Sequence, residues 1–325
     1  MPRLASFLFR RIAQAVPTVL LIVVVNFFVL RAAPGDVVDV LAGESGAATA
    51  EYVDNLRHLY GLDQPAVVQL GRYMGRLLTF DLGYSFRFNT PVFDLIAQRL
   101  PATLLLMSVA IVLAIVLGVV LGATAARNVG RPLDGAISVF ALLAYATPTF
   151  WIGLMLIVLF GVNLRWLPTS GMMTIGAGLS GAALVVDVAR HLALPGLSLA
   201  LFFVAIYTRM TRASMLEIHG LDYIRTAHAK GLSDNRVTYV HVLRNAVLPV
   251  VTVAGMQVGT LLGGSVLIET VFGWPGLGRL AFEAVIQRDA NLLLGILFMS
   301  SLLVIAVNIV VDLLYAALDP RIEMR

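Results

Sequence analysis

Six stretches of this chain are about twenty residues or longer and nearly free of charge: residues 9–30, 102–126, 133–161, 192–210, 245–272 and 291–318. A hydrocarbon layer of about 30 Å is crossed by roughly 20 apolar residues in a helix. Backbone polar groups in that layer must be satisfied internally, so only helices or closed barrels span it, and runs of this length select helices. The composition agrees, with 59% hydrophobic and 13% charged residues, against about 25% charged in soluble domains. The expected fold is an all-α polytopic membrane protein with six transmembrane helices. Arg3, Arg10 and Arg11 ahead of the first run superficially resemble a signal peptide. The run is too long for that, and no small-residue cleavage pattern ends it, so it reads as a retained first span.

Charge sets the orientation. Arg3, Arg10 and Arg11, then Arg127 and Arg131, then Arg209, Arg212, Arg225, Lys230, Arg236 and Arg244, and finally Arg321 and Arg325 all fall on one side of a six-span chain. The opposite short connections hold Arg165, Arg190, Arg279 and Arg288. By the excess of positive charge on the inner side, both termini are expected in the cytoplasm. The net charge of +4 is spread over span ends rather than gathered in one stripe, which does not suit nucleic acid.

The segment after the first span, 32–101, is too long for the charge rule and carries helical signals. Thr49 is placed to cap a helix with Val53, Leu56 and Tyr60 on one face and Gly61 as its stop. Pro65 opens a second helix with Val67, Leu70, Met74 and Leu77 at helical spacing. Thr90-Pro91 opens a third that runs toward Pro101. Two readings stay open: a packed cap, or a lid that meets an outside partner. The glycine-rich stretch 171–181 reads as a flexible outer loop.

Absences exclude several chemistries. No GxxxxGK[ST] loop is present, so the chain is not expected to bind or split a nucleotide. No HExxH or carboxylate–histidine cluster suggests a metal site, and the lack of cysteine removes thiolate ligands. No nucleophile elbow appears, and no histidine falls within the expected spans to act as base. No ionisable residue lies near a span centre, where ion-coupled carriers place theirs; Glu269, Asp312 and Asp319 read as interfacial or helix-terminal. The spans do hold uncharged polar groups and helix-softening residues, with Pro148 between Thr147 and Thr149 and glycines at 255, 259, 263 and 264. Thr147, Phe150, Gln257 and Thr260, by polarity and position near span centres, are the candidates for a translocation path. A self-contained channel or ion-coupled carrier remains the alternative of a different class.

About 34 residues separate the fourth and fifth runs and contain Lys230, the one lysine of the chain. Asp222 is placed to cap a short helix. Tyr223, Ala227 and Lys230 share a face at i, i+4 and i+7. Thr226, Ala227 and Ala229 are small enough for another protein to come close. Gly231 suits the left-handed position that ends a helix. Ser233 or Asp234 then caps a second helix carrying Val237, Val240 and Leu243. A surface helix resting on anionic lipid is the competing reading, disfavoured by the narrow apolar face.

Arg225-Thr226-Ala227, then Gly231, then Leu248-Pro249 resembles the EAA loop of ABC importer permeases. Arg225 stands where that pattern often has Glu, and Thr226 where it has Ala, a departure usual in the B-type permease of dipeptide/oligopeptide importers. The likeness to that subunit runs nearly end to end. It includes Ala33-Pro34-Gly35-Asp36, Leu59-Tyr60-Gly61-Leu62-Asp63-Gln64-Pro65, and Gly75 followed by Asp81-Leu82-Gly83-Tyr84-Ser85. It continues with Met210-Thr211-Arg212-Ala213-Ser214-Met215, Phe272-Gly273-Trp274-Pro275-Gly276-Leu277-Gly278, and Asp312-Leu313-Leu314-Tyr315-Ala316-Ala317-Leu318-Asp319-Pro320-Arg321.

The resemblance implies a type I ABC importer permease fold with a helical extracytoplasmic insertion. It implies a multi-pass protein of the bacterial inner membrane that is not itself an enzyme. The implied layout is residues 1–31 as the cytoplasmic end and first span, 32–101 as the periplasmic insertion, 102–318 as the remaining core with a coupling loop at 211–244, and 319–325 as a cytoplasmic tail. It implies as partners a second homologous permease, two ATPase subunits that hold ATP and magnesium, and an extracytoplasmic solute-binding protein. Asp222, Tyr223, Arg225, Thr226, Ala227, Ala229, Lys230 and Gly231 would couple to an ATPase. Trp274, Pro275, Gly276 and Arg279, a turn presenting an aromatic ring, would meet the binding protein. Cargo in such importers includes dipeptides, longer peptides, glutathione and nickel chelates.

Overall fold

A computed structural model describes residues 2–32, 38, 49–60, 63–85 and 87–318. The expected motif 33–36, the helix stop at Gly61, Asp319 and the tail 319–325 lie outside these residues. Among the described residues the α-helices in chain order are α1 (Pro2–Ala32), α2 (Ala50–Tyr60), α3 (Ala66–Leu78), α4 (Val92–Arg127), α5 (Pro132–Ala146), α6 (Thr149–Leu156), α7 (Gly181–His219), α8 (Asp222–Ala229), α9 (Asp234–Arg236), α10 (Arg244–Met256), α11 (Val258–Val271), α12 (Leu277–Ile286) and α13 (Ala290–Leu318). One small hairpin, β1 (Tyr84–Ser85) with β2 (Thr90–Pro91), precedes α4. Among the described residues, five helices are long and apolar enough to cross a membrane, or six with the bent pair α5 and α6 taken as one span.

The chain packs as two compact units, residues 1–101 with 280–325, and residues 102–279. In the first, α1 packs along α13, and the hairpin is pinned to the start of α13. The Asp289 carboxylate caps that helix by accepting the Leu292 N–H at 3.0 Å. It also accepts the Ser85 hydroxyl, and Asn291 Nδ2 donates to Tyr84 O at 3.3 Å. Tyr73 and Leu77 form the buried face of α3, with the Tyr73 ring stacked on Phe27 of α1. Val67, expected on that face, is exposed.

In the second unit α7 is the central post, packed by α5, α6, α10 and α11. It also meets α4 at close range. A Cβ on Gly118 would stand 2.6 Å from Tyr207 Cβ, and one on Gly122 would stand 2.6 Å from both Thr208 O and Thr211 Cβ. Small residues four apart let two helix backbones approach this closely. The start of α5 is fixed to α7 by a two-pronged ion pair, Arg212 Nε and Nη2 donating to Asp134 at 2.7 and 2.9 Å.

Two expectations need correction. Residues 133–161 do not form one straight span: α5 and the helix continuing from α6 meet at 108°. Pro148 has no N–H to give, and it forces Thr147 into an extended conformation (φ −87, ψ 131). Helix α4 runs unbroken through Pro101, the residue at which the two compact units divide, and Ile96 and Ala102 on either side of it are both buried. And α7 begins eleven residues before the fourth expected span, so it carries a buried histidine, His191. Its Nδ1 lies 2.8 Å from Asp187 O.

Candidate functional site

The basic connection is built on α8. Its N-cap is Leu221, in extended conformation, and Asp222 is the first helical residue rather than the cap. There its carboxylate stands at the positive end of the helix dipole. Ile224 and Ala227 are buried, joining Ala123, Met215, Val237, Val242 and Ala246 in one apolar cluster. The inward face is therefore Ile224 with Ala227, so the expected shared face of Tyr223, Ala227 and Lys230 is split, with Ala227 inside and the other two outside. Ala227 is an anchor and is not available for close packing by another protein. Tyr223, Arg225, Thr226, Ala229 and Lys230 are exposed.

Polar contacts hold this helix in place. Asn245 Nδ2 donates to Tyr223 Oη at 3.3 Å, and Thr226 Oγ1 donates to Asp222 O at 3.0 Å. Arg225 Nη1 lies 3.6 Å from Asp222 Oδ1, both side chains being largely in solvent. The helix end closes as expected. Gly231 has φ +79, its N–H donates to His228 O at 2.9 Å, and Leu232 N–H donates to Ala227 O at 3.3 Å. This pair of bonds around a left-handed residue satisfies the orphan carbonyls of the last turn. Ser233 takes the N-cap position of α9 without a side-chain bond, and α9 runs through a π-helical stretch, Val237–Leu243, into α10.

The four path candidates lie at two interruptions. Thr147 and Phe150 flank Pro148 at the bend between α5 and α6. Gln257 is the junction of α10 and α11 (φ −85, ψ 0), which divides the fifth expected span, and Thr260 follows one turn later. α6 packs on α11, so the interruptions belong to neighbouring elements. The Thr147 hydroxyl is turned back onto its own helix, donating to Leu143 O at 2.7 Å.

The 272–279 stretch overturns an expectation. Trp274 is 0% exposed, and its indole N–H donates to Ala102 O at 2.9 Å. It presents no ring to a partner. Gly276 is buried as well, and a Cβ there would strike the Glu269 carboxylate. Arg279 is tied in by its N–H to Glu269 Oε2 at 2.9 Å and by Nη1 to Gly273 O at 2.8 Å. Leu277–Ile286 is helical. The organiser is Glu269, fully buried and not the interfacial group expected; it also accepts the Thr103 hydroxyl at 2.7 Å. The run of glycines around Trp274-Pro275 was the available signal, since only glycine lets a backbone close over a carboxylate in this way.

Among the described residues, no group of three or more His, Asp or Glu is placed to hold a metal ion. The arrangement is a multi-span helical core with an anchored basic connection. The family described as "Binding-protein-dependent transport system inner membrane component" matches residues 114–324, and its N-terminal counterpart matches residues 4–107. The chain belongs to this family and is an integral, multi-pass inner-membrane protein of the ABC importer permease type.

Among its relatives, the oligopeptide transport system permease protein AppB of Bacillus subtilis is 39% identical over 98% of this chain and 100% of its own length. The dipeptide transport system permease protein DppB of Escherichia coli K12 is 39% identical over 98% of each. An inward-facing structure of the MetNI methionine ABC transporter matches with a TM-score of 0.56 at 18% identity, over 70% of this chain and 98% of that one. That likeness establishes the type I permease fold.

Proposed function

We propose that this chain is one membrane subunit of a bacterial importer that carries di- or oligopeptides inward, driven through α8 by a partner ATPase. The cargo class is supported by the names of its relatives, AppB and DppB. The drive is supported by one observation above others: α8 is anchored by Ile224 and Ala227 in an apolar cluster drawn from α4, α7 and α10, while its other face offers Tyr223, Arg225 and Lys230 to solvent. A push on that face passes directly into three long helices. ATP and magnesium belong to the ATPase pair; a second permease completes the pathway, and a binding protein delivers the peptide from outside. Basic residues at 127, 131 and 209–244 support a cytoplasmic position for α8 and both termini.

In this layout 1–31 is the first span with its cytoplasmic end, 32–101 the outer insertion, 102–318 the core with coupling loop 211–244, and 319–325 the tail. The path passes the interruptions at Thr147–Phe150 and Gln257–Thr260. Outside, residues 49–78 meet the binding protein.

The test is ATP-driven peptide uptake by the assembled transporter in proteoliposomes. Gly231→Val should abolish uptake while the permease remains in the membrane. Normal uptake by that variant would sink the coupling assignment. Deleting residues 49–78 should remove stimulation of the ATPase by loaded binding protein, and unchanged stimulation would remove that assignment.

A further inference from the structure

A cleft of about 330 Å³ opens between the last turns of α4 and the π-helical stretch ahead of α10. Its wall is apolar, with Val119, Val120 and Leu243, and its head is polar and basic, with Arg127, Arg131 and Tyr239. No carboxylate is among its lining residues. Arg127 is held by neutral partners. Nη1 donates to Tyr239 Oη at 2.7 Å, Nη2 donates to Asn235 Oδ1 at 2.8 Å, and the guanidinium lies 5.3 Å from the Tyr239 ring centre. These contacts fix the charge in space without cancelling it. The Arg131 guanidinium makes a long contact to Asn128 Oδ1 at 3.5 Å.

A stripe leads away from this head along α4. Val120, Val116 and Val112 are 56%, 53% and 58% exposed. They recur every four residues on one face, a track of about 12 Å at 1.5 Å per residue. Thr124 continues the same row, and its hydroxyl is spent on Val120 O at 2.7 Å. The row thus passes from apolar to neutral to cationic toward the helix end, which is the order of groups in a phospholipid from tail to phosphate. Basic pockets between helices at the membrane boundary suit anionic headgroups.

We propose that this cleft is a binding site for an anionic phospholipid, its phosphate between Arg127 and Arg131 and one acyl chain along Val120, Val116 and Val112. The site requires only that the chain spans a bilayer and does not depend on the cargo or on the coupling role of α8.

The experiment uses the assembled transporter in nanodiscs of phosphatidylcholine doped with phosphatidylglycerol, with lipids retained after release into detergent counted by native mass spectrometry. Phosphatidylglycerol should be retained over phosphatidylcholine by roughly thirtyfold, the preference expected of two basic side chains at a membrane surface. The double variant R127Q/R131Q should bring the two lipids to parity. R127K/R131K keeps the charge while losing the forked geometry and should keep most of the preference, which a purely structural role for Arg127 would not allow. Val120→Trp fills the cleft and should cut phosphatidylglycerol retention with both arginines intact. Arg165→Gln, an exposed arginine outside the cleft, should change nothing. Equal retention of the two lipids, or a preference that survives R127Q/R131Q, overturns the proposal. So does displacement of the lipid by millimolar inorganic phosphate, which would make the head a simple anion pocket. A preference shown by the chain alone but lost on assembly would assign the cleft to the second permease and overturn it as well.

Discussion

Residues 222–232 and residues 269–279 are both helix connections in the same unit, both turn on a glycine with positive φ (Gly231 at +79, Gly273 at +58), and they are built inside out from each other. The first buries two apolar side chains and leaves its charges in solvent. The second buries a carboxylate and a tryptophan, closing its polar groups on themselves: Glu269 accepts from Thr103 and from the Arg279 backbone, and Trp274 donates to Ala102. An apolar anchor with a charged outer face can be pulled and pushed by a partner while staying attached. A closed polar knot resists rearrangement, because each buried group that loses its partner costs about 1–3 kcal/mol. Under the proposed function the first connection transmits movement, and the second holds helix ends in register.

The sharpest way to break this contrast is to untie the knot. Glu269→Ala leaves the Thr103 hydroxyl and the Arg279 N–H without their buried acceptor and opens a cavity, with an expected loss of roughly 3 kcal/mol. Thermal unfolding in detergent should show a large drop, and yield should fall. Glu269→Gln keeps an acceptor oxygen and should lose less than half as much. If alanine and glutamine behave alike and both are mild, the knot is not what holds this region.

Helix packing supplies the next effect. Gly122→Val puts branched carbon onto Thr208 O and Thr211 Cβ, where even a Cβ stands at 2.6 Å, and overpacking of this kind costs about 1–3 kcal/mol. The same change at Gly135, where an added Cβ meets nothing within 4 Å, should be nearly silent in the same melting assay. Equal responses at the two sites would mean that the α4–α7 crossing is looser than it appears.

How far the chain could be read in advance follows the range of each signal. The left-handed Gly231 and the helix opened after Pro65 are set by residues within one or two turns, and they stand in the structure where the pattern puts them; the apolar runs are helical as expected, but the third is bent at Pro148 and the fifth is divided at Gln257. Pro148 announced a weak point, but its missing N–H says nothing of how far the helix turns, which is 108°. Asp134 and Arg212 are 78 residues apart, and no local pattern pairs them. Trp274 was misread for the same reason: beside Pro and Gly an aromatic looks like an exposed turn, and only the distant Ala102 carbonyl and Glu269 explain why it faces inward. Which side of α8 turns inward is finer still, since Tyr223 and Ile224 are adjacent and one residue of rotation decides which is buried.

That one-residue rotation gives the most discriminating test of the first connection. Ile224 is buried and Tyr223 exposed, so Ile224→Ala should cost about 2–4 kcal/mol in the folded permease. Tyr223→Phe removes only a 3.3 Å bond from Asn245, worth about 0.5–1 kcal/mol, and melting should barely move. Uptake should separate the pair in another way. Gly231→Asn keeps a residue that tolerates positive φ and should retain most ATP-driven transport, whereas Gly231→Val, with equally open space around its Cβ, should not. Because nothing lies within 4 Å of that position, a difference between Asn and Val is a statement about backbone conformation alone. Equal activity of the two variants would mean that the turn ending α8 can relax without cost to coupling, and that the lever is softer than its anchor.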